Sequence, residues 1–292
     1  MSSKVAQRGH VHCEHRDAVA LVTIANKPKF NAMSRAMWRD LRAVFERIQR
    51  SPDLRCVLVA GQGAHFCAGG DISEYADFRF QEASLRDFHE SDVWGGLQSM
   101  LDCDVPIVAQ IAGNCMGAGV EIASCCDIRL AAASAQFGAP IARLGFPMAP
   151  REAALVAREV GLTVARQMLL AAEILEAADM KSAGFLSQVL SDEALAAQAH
   201  AITLRIAALA PQAARLNKQT LRALNKPLAP VNRAQDATNS IATGGANAYA
   251  YAASAEHREG ITAFLEKRKP CFEGVKPENS SGYVDPKRHE SK

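Results

Sequence analysis

The chain has 292 residues, 49% of them hydrophobic and 22% charged, with a net charge of +2. That length allows one large domain or a domain with an appendage, and the near-neutral balance argues against nucleic acid or a membrane surface as partner. No apolar stretch is long enough to span a bilayer and the amino end lacks an apolar signal core, so a cytoplasmic protein is expected. The eight cysteines are scattered, mostly inside apolar runs, without metal-ligand spacing; they read as reduced, buried thiols.

Residues 1–9 read as polar and loose. From Val11 the chain alternates, turns at Arg16-Asp17 and resumes with Val19–Ile24, a hairpin pattern. The alternation sets His10 and His12 on one strand face, a polar edge rather than a metal cluster. After a loop marked by Pro28 and Asn31, a helix is expected from Ser34 as N-cap, with Met37, Trp38, Leu41, Val44, Phe45 and Ile48 on its apolar face. Pro52-Asp53 ends it, and Cys56–Ala60 reads as a short buried strand.

Two segments of small residues then stand out, Phe66-Cys67-Ala68-Gly69-Gly70-Asp71-Ile72 and Gly113-Asn114-Cys115-Met116-Gly117-Ala118-Gly119-Val120-Glu121. Each reads as a strand entering a turn with almost no side chain, then the start of a helix. Such turns let a ligand approach the backbone, and helix starts leave N–H groups unpaired. Facing one point, they would form a polarising cup for a carbonyl oxygen, with the Glu121 carboxylate close by. Between them, Tyr75–Glu90 reads as an exposed, mixed-charge lid, followed by a helix over Asp92–Leu101 and a strand over Pro106–Ile111.

A strand is expected at Ile128–Ala132. Helices follow at Arg151–Val160, Thr163–Ala171, Ala177–Ala183 and Asp192–Leu209. Strand–strand–helix units recur with loose spacing, which predicts a spiral of such units. Beyond Pro211 the pattern is helical and the end basic and polar, so a boundary is expected near 205–211.

Five pieces in order resemble the enoyl-CoA hydratase/isomerase (crotonase) superfamily: Asn31-Ala32-Met33-Ser34, Phe66–Ile72, Gly117–Ala123 with Cys126-Asp127-Ile128, Gln136-Phe137-Gly138, and Arg258–Lys269. The resemblance implies an α/β fold, a crotonase-like spiral of ββα units over residues 1–208, with a helical C-terminal oligomerisation region over 209–292. It implies a homotrimer or dimer of trimers and acyl-CoA thioester substrates, with no cofactor beyond the CoA that enters with the substrate.

Carried over by motif, the oxyanion amides are those of Gly70 and Ala118, and Glu121 is the acid/base. Ala68, Gly70, Asp71, Ile72 and Ser73 match the strip along bound CoA, with Asp71 holding the turn. Lys29 matches a residue near the nucleotide phosphates, and Phe264 and Lys267 match residues that close over CoA. Hydratases of this family carry a second glutamate where Ile141 stands here, and isoleucine moves no proton. Arg143 and Glu152 are the nearest charged residues along the chain; Glu152 is open to two readings, a substitute acid or, the favoured one, a residue on an exposed helical face.

Hydration of a 2-enoyl-CoA is the leading expectation, with isomerisation second and a catalytically weak acyl-CoA-binding protein third. A serine hydrolase is set aside, because no Gly-x-Ser-x-Gly elbow is present. The acyl group is expected to meet the Tyr75–Glu90 lid and an apolar wall at Ile141, Leu144 and Phe146.

Overall fold

The computed structural model describes residues 8–224 and 254–272. Residues 1–7 of the stretch read as loose, and 225–253 and 273–292 of the basic, polar end, lie outside the described residues.

Strands β1 (His10–Arg16) and β2 (Val19–Ala25) form the expected antiparallel hairpin, with Asp17 at φ 52° turning the chain. Helix α1 (Arg35–Arg50) begins on Ser34, whose Oγ accepts the Met37 N–H at 3.3 Å. Its buried face is the set that the three-and-four spacing picks out, from Met37 to Ile48. Strand β3 (Cys56–Gly61) follows, then a 3₁₀ turn (Ile72–Asp77) and the short α2 (Glu82–Asp87).

The helix expected from Asp92 is already running there, continuous from α2. Residues Phe88–Val93 form a π turn and α3 is Trp94–Leu101. The wider turn has an evident partner, because buried Asp92 is gripped by Arg35 and Arg39 of α1, each at 2.6 Å. The Tyr75–Glu90 stretch is also less exposed than its composition suggests. Tyr75, Phe78 and Phe88 make a ring cluster, and Phe78 and Phe88 are buried.

Beyond α3 come β4 (Ile107–Ile111), β5 (Asn114–Met116), α4 (Ala118–Ser124), β6 (Ile128–Ala132) and β7 (Gln136–Gly138). The two helices read over 151–171 are there, following one another within α5 (Pro150–Leu170) and parted at Gly161, whose φ of 80° and ψ of 151° are not helical. The rest is β8 (Ile174–Glu176), α6 (Ala177–Ser182), β9 (Gln188–Leu190), α7 (Asp192–Ala207), α8 (Pro211–Leu224) and α9 (Ala255–Leu265).

One sheet runs in the order β1-β2-β3-β4-β6-β9, parallel except for the β1–β2 hairpin. A smaller sheet has the order β5-β7-β8, and the chain passes back and forth between the two. This is the spiral of strand–strand–helix units that the recurring pattern predicts. The buried β3 and β4 read as continuous apolar runs, as strands covered on both faces do. The chain divides into two units between Ala208 and Leu209, and α8 and α9 belong to the second.

Candidate active site

The two small-residue segments are stitched together by an isolated parallel bridge between Cys67 and Cys115. Cys67 N–H donates to the Asn114 carbonyl and Met116 N–H to the Cys67 carbonyl, both at 2.9 Å. A Cβ built on Gly117 would lie 3.7 Å from Gly69 Cα, so the two turns touch through main chain.

The first segment is pinned from the other side by Met33. Its N–H donates to the Gly69 carbonyl and its carbonyl accepts the Asp71 N–H, both at 2.8 Å. In such a parallel bridge the intervening residue, Gly70, points its own N–H away from Met33. In the second segment Gly117 has φ 46° and ψ −107°, a conformation that L side chains rarely adopt, and α4 starts at the next residue. The Ala118 N–H is therefore in the first turn, where no intrahelical acceptor exists. Among the described residues neither the Gly70 nor the Ala118 N–H is taken up by a main-chain acceptor.

Both turns border a cavity of about 400 Å³. Of the residues singled out in the sequence, Ala68, Gly70, Ile72, Ala118, Glu121 and Ile141 line it. The apolar wall is there too, with Leu144 and Phe146 beside Ile141. Lys29, Asp71 and Ser73 come together with one another but are not part of that lining. Lys29 Nζ lies 2.6 Å from Asp71 Oδ2 and 2.7 Å from Ser73 Oγ, while Asp71 Oδ1 accepts the Ser73 N–H and caps the turn. Burial pushes the Asp71 carboxyl up, but the hydrogen bonds from Lys29 and Ser73 outweigh it and hold the group below its ordinary range. Phe264 and Lys267 lie in the second unit, Phe264 on α9 with its ring exposed and Lys267 just beyond, at φ 54°.

Glu121, in the first turn of α4, is 8% exposed. Burial, together with the negative charge of Glu152, raises its pKa well above the usual carboxylate value. No hydrogen-bond donor reaches its carboxyl group among the described residues.

Glu152 overturns an expectation. Rather than riding an exposed helical face it is 2% exposed and lines the same cavity. It is the third residue of α5, and its Oε2 turns back to accept the Ala149 N–H at 3.2 Å, while His89 Nδ1 sits 3.1 Å from each of its oxygens. The Pro150-Arg151-Glu152 spacing did carry a signal, since an acid three residues into a helix behind an N-terminal proline is a capping pattern that turns inward. Arg143, the other charged neighbour of Ile141, is exposed and donates to the Ala172 carbonyl at 2.9 Å.

The lid stretch supplies further polar lining. Arg79 lies over the Phe146 ring at 3.7 Å and the Tyr75 ring at 4.4 Å, and its Nη1 approaches His89 Nε2 at 3.4 Å. Burial lowers the Arg79 pKa, against the pull of Tyr75 and Glu152. The Tyr75 hydroxyl stands so close over Gly70 that a Cβ there would run into it, and burial raises its pKa. No motif or spacing marks Tyr75, Arg79 or His89 individually within the lid stretch.

A spiral α/β core with two buried carboxyl groups and unclaimed main-chain N–H groups around one cavity is an enzyme's architecture. The model of the family described as enoyl-CoA hydratase/isomerase matches residues 14–276. A short-chain-enoyl-CoA hydratase of Clostridium acetobutylicum is 30% identical over 271 residues, spanning 91% of this chain and 98% of that protein. A 2,3-dehydroadipyl-CoA hydratase of Escherichia coli is 29% identical over 256 residues, or 88% of this chain and 95% of that one. A crystal structure of an enoyl-CoA hydratase/carnithine racemase from Magnetospirillum magneticum superposes with a TM-score of 0.82 at 31% identity, covering 91% of this chain and 96% of that one. The chain belongs to the enoyl-CoA hydratase/isomerase family.

Proposed function

We propose that this enzyme hydrates 2-enoyl-CoA thioesters, polarising the thioester oxygen between the Gly70 and Ala118 N–H groups and using Glu121 as its main acid/base. The observation that carries the reading is the meeting of two main-chain turns, each leaving an N–H unclaimed, on a cavity that also holds a buried, proton-retaining glutamate. Donors preset in this way are worth most when negative charge develops on the oxygen, about 10²–10³ in rate each. The names of the hydratase relatives support the same reaction.

The strip Ala68, Gly70, Asp71, Ile72 and Ser73 runs along CoA in this reading, with Lys29 toward the nucleotide phosphates and Phe264 and Lys267 closing over it. Ile141 faces the acyl group. No cofactor is required, since CoA arrives with the substrate. Residues 1–208 form the acyl-CoA-binding core, and 209–292 form the oligomerisation region of a homotrimer or dimer of trimers in the cytoplasm.

The runner-up is isomerisation between 3-enoyl- and 2-enoyl-CoA, favoured by the apolar Ile141 on the cavity wall. Incubation with 2-enoyl-, 3-enoyl- and saturated acyl-CoA esters, with products weighed by mass spectrometry, separates the two. A mass gain of one water on 2-enoyl esters supports hydration, and interconversion without mass change supports isomerisation. No change on any ester overturns both.

A further inference from the structure

The two carboxyl groups on the cavity have opposite surroundings. Both oxygens of Glu152 face His89 Nδ1 at 3.1 Å, and Oε2 also accepts the Ala149 N–H at 3.2 Å. Arg79 settles which imidazole nitrogen carries the proton. A guanidinium can only donate, so His89 Nε2, 3.4 Å from Arg79 Nη1, must accept, and the Nδ1–H points at Glu152. Donors aimed at a carboxylate favour its charged form. Glu121 has none among the described residues, and its burial beside the Glu152 charge keeps its proton on. A pair of acids driven apart by environment divides into a base and an acid.

We propose that Glu152, rather than any group at position 141, is the second acid/base of this site, serving as the base that deprotonates the attacking water while Glu121 protonates the α-carbon. The proposal rests on the hydration reading above, and the resemblance assigns nothing to position 152.

The step balances without a redox partner. Glu152 takes one proton from water as the oxygen bonds to the β-carbon. The π pair of the C=C bond moves toward the thioester oxygen, forming the enolate. The α-carbon then takes the Glu121 proton, giving the 3-hydroxyacyl thioester. The proton on Glu152 returns to Glu121 through cavity water, which restores the starting state. His89 is a positioning residue: it fixes the Glu152 carboxylate and touches no reacting atom. Ile141 becomes part of the acyl wall instead of a lesion in the chemistry.

Two reactions separate the glutamates. Hydration of crotonyl-CoA needs both, whereas exchange of the α-hydrogens of butyryl-CoA in D₂O needs only Glu121. In Glu152→Gln the amide oxygen still accepts from Ala149 and His89, so the start of α5 is preserved. Its kcat for hydration should fall by about 10²–10⁴ with little change in KM. Exchange should hold or rise, because Glu121 ionises more easily without the neighbouring charge. Glu121→Gln should lose both reactions. Hydration by Glu152→Gln at more than a tenth of the wild-type rate, or equal loss of hydration and exchange, would overturn the assignment.

A second variant does not touch either acid. His89→Phe removes the donor to Glu152, so kcat for hydration should fall by about tenfold with KM little changed, whereas His89→Asn, whose amide N–H can stand in for Nδ1–H, should recover part of the loss. The other charged groups that feel Glu152 are Glu121 from α4 and Arg79 from the lid stretch, and both remain in these variants. An unchanged kcat in His89→Phe, or an equal loss in His89→Phe and His89→Asn, would overturn the role. Wild-type protein that exchanges butyryl-CoA hydrogens but hydrates no 2-enoyl ester fails one step earlier, at the hydration reading itself.

Discussion

One lining of the cavity is main chain and the other is side chain, and they are specified differently. Ala68–Gly70 and Gly117–Ala118 present backbone, held by β-bridge hydrogen bonds between Met33, Gly69 and Asp71 and between Cys67 and the β5 strand. Tyr75, Arg79, His89, Phe146 and Glu152 present side chains, held by ring contacts and charge. The first lining tolerates almost no added atom. The second is built from rings and charged groups that pack against one another.

The sharpest way to set the linings apart is to remove the acid that sits where they meet. Glu121→Gln should lower hydration by on the order of 10³ while leaving acyl-CoA binding in place. The same change should stabilise the fold at neutral pH. Glu121 keeps its proton in the folded state to a pH well above its value in the unfolded chain. Its contribution is therefore intact below about pH 4, the unfolded value, and is eroded as pH rises from there toward the folded value. Thermal melts of variant and wild type should coincide near pH 4 and separate, variant higher, on the way to neutrality. Coincident melts at both ends would mean that the burial of Glu121 costs nothing.

The main-chain lining is tested by adding three carbons at one turn or a single carbon at the other. Gly117→Val forces a β-branched residue to φ 46°, costing about 1–3 kcal/mol and turning the Ala118 N–H off its aim. Hydration should fall by about 10²–10³. Gly70→Ala is gentler in backbone terms, but its Cβ meets the Tyr75 hydroxyl. Pairing it with Tyr75→Phe removes that oxygen and should recover part of the lost rate, a double-mutant coupling that independent walls would lack. Additive losses in kcat would show that the ring had already moved aside.

These differences explain what could be read from the chain beforehand. The helix from Ser34 was legible because its cap and six apolar positions lie within a few turns of one another. The turns at Gly70 and Gly117 were legible because small residues leave a local mark wherever backbone must be bare. Glu152 and His89 are 63 positions apart, and no window of sequence contains both. Each was open to a blander reading, Glu152 as an exposed helical acid and His89 as part of a polar lid. The aromatic packing of Tyr75, Phe78 and Phe88 that draws this lid inward was hidden by the charges between those rings.

Lys29 lies outside both linings and carries the smallest expected effect. Its ammonium pairs with Asp71, half exposed, so a direct role in stability is worth less than about 1 kcal/mol. Two roles compete for it. It either holds the Asp71 turn, and through it the strip beside Gly70, or it shares its charge with a CoA phosphate. Lys29→Met should raise the KM for crotonyl-CoA by roughly two- to fivefold, the scale of one exposed ion pair, with kcat unchanged. The crotonyl ester of pantetheine, which lacks the nucleotide, should show no change in KM. A rise with the truncated ester as well, or a drop in kcat, would assign Lys29 to the turn, because a disturbed Asp71 reaches the Gly70 amide one residue away whatever the substrate carries at its far end.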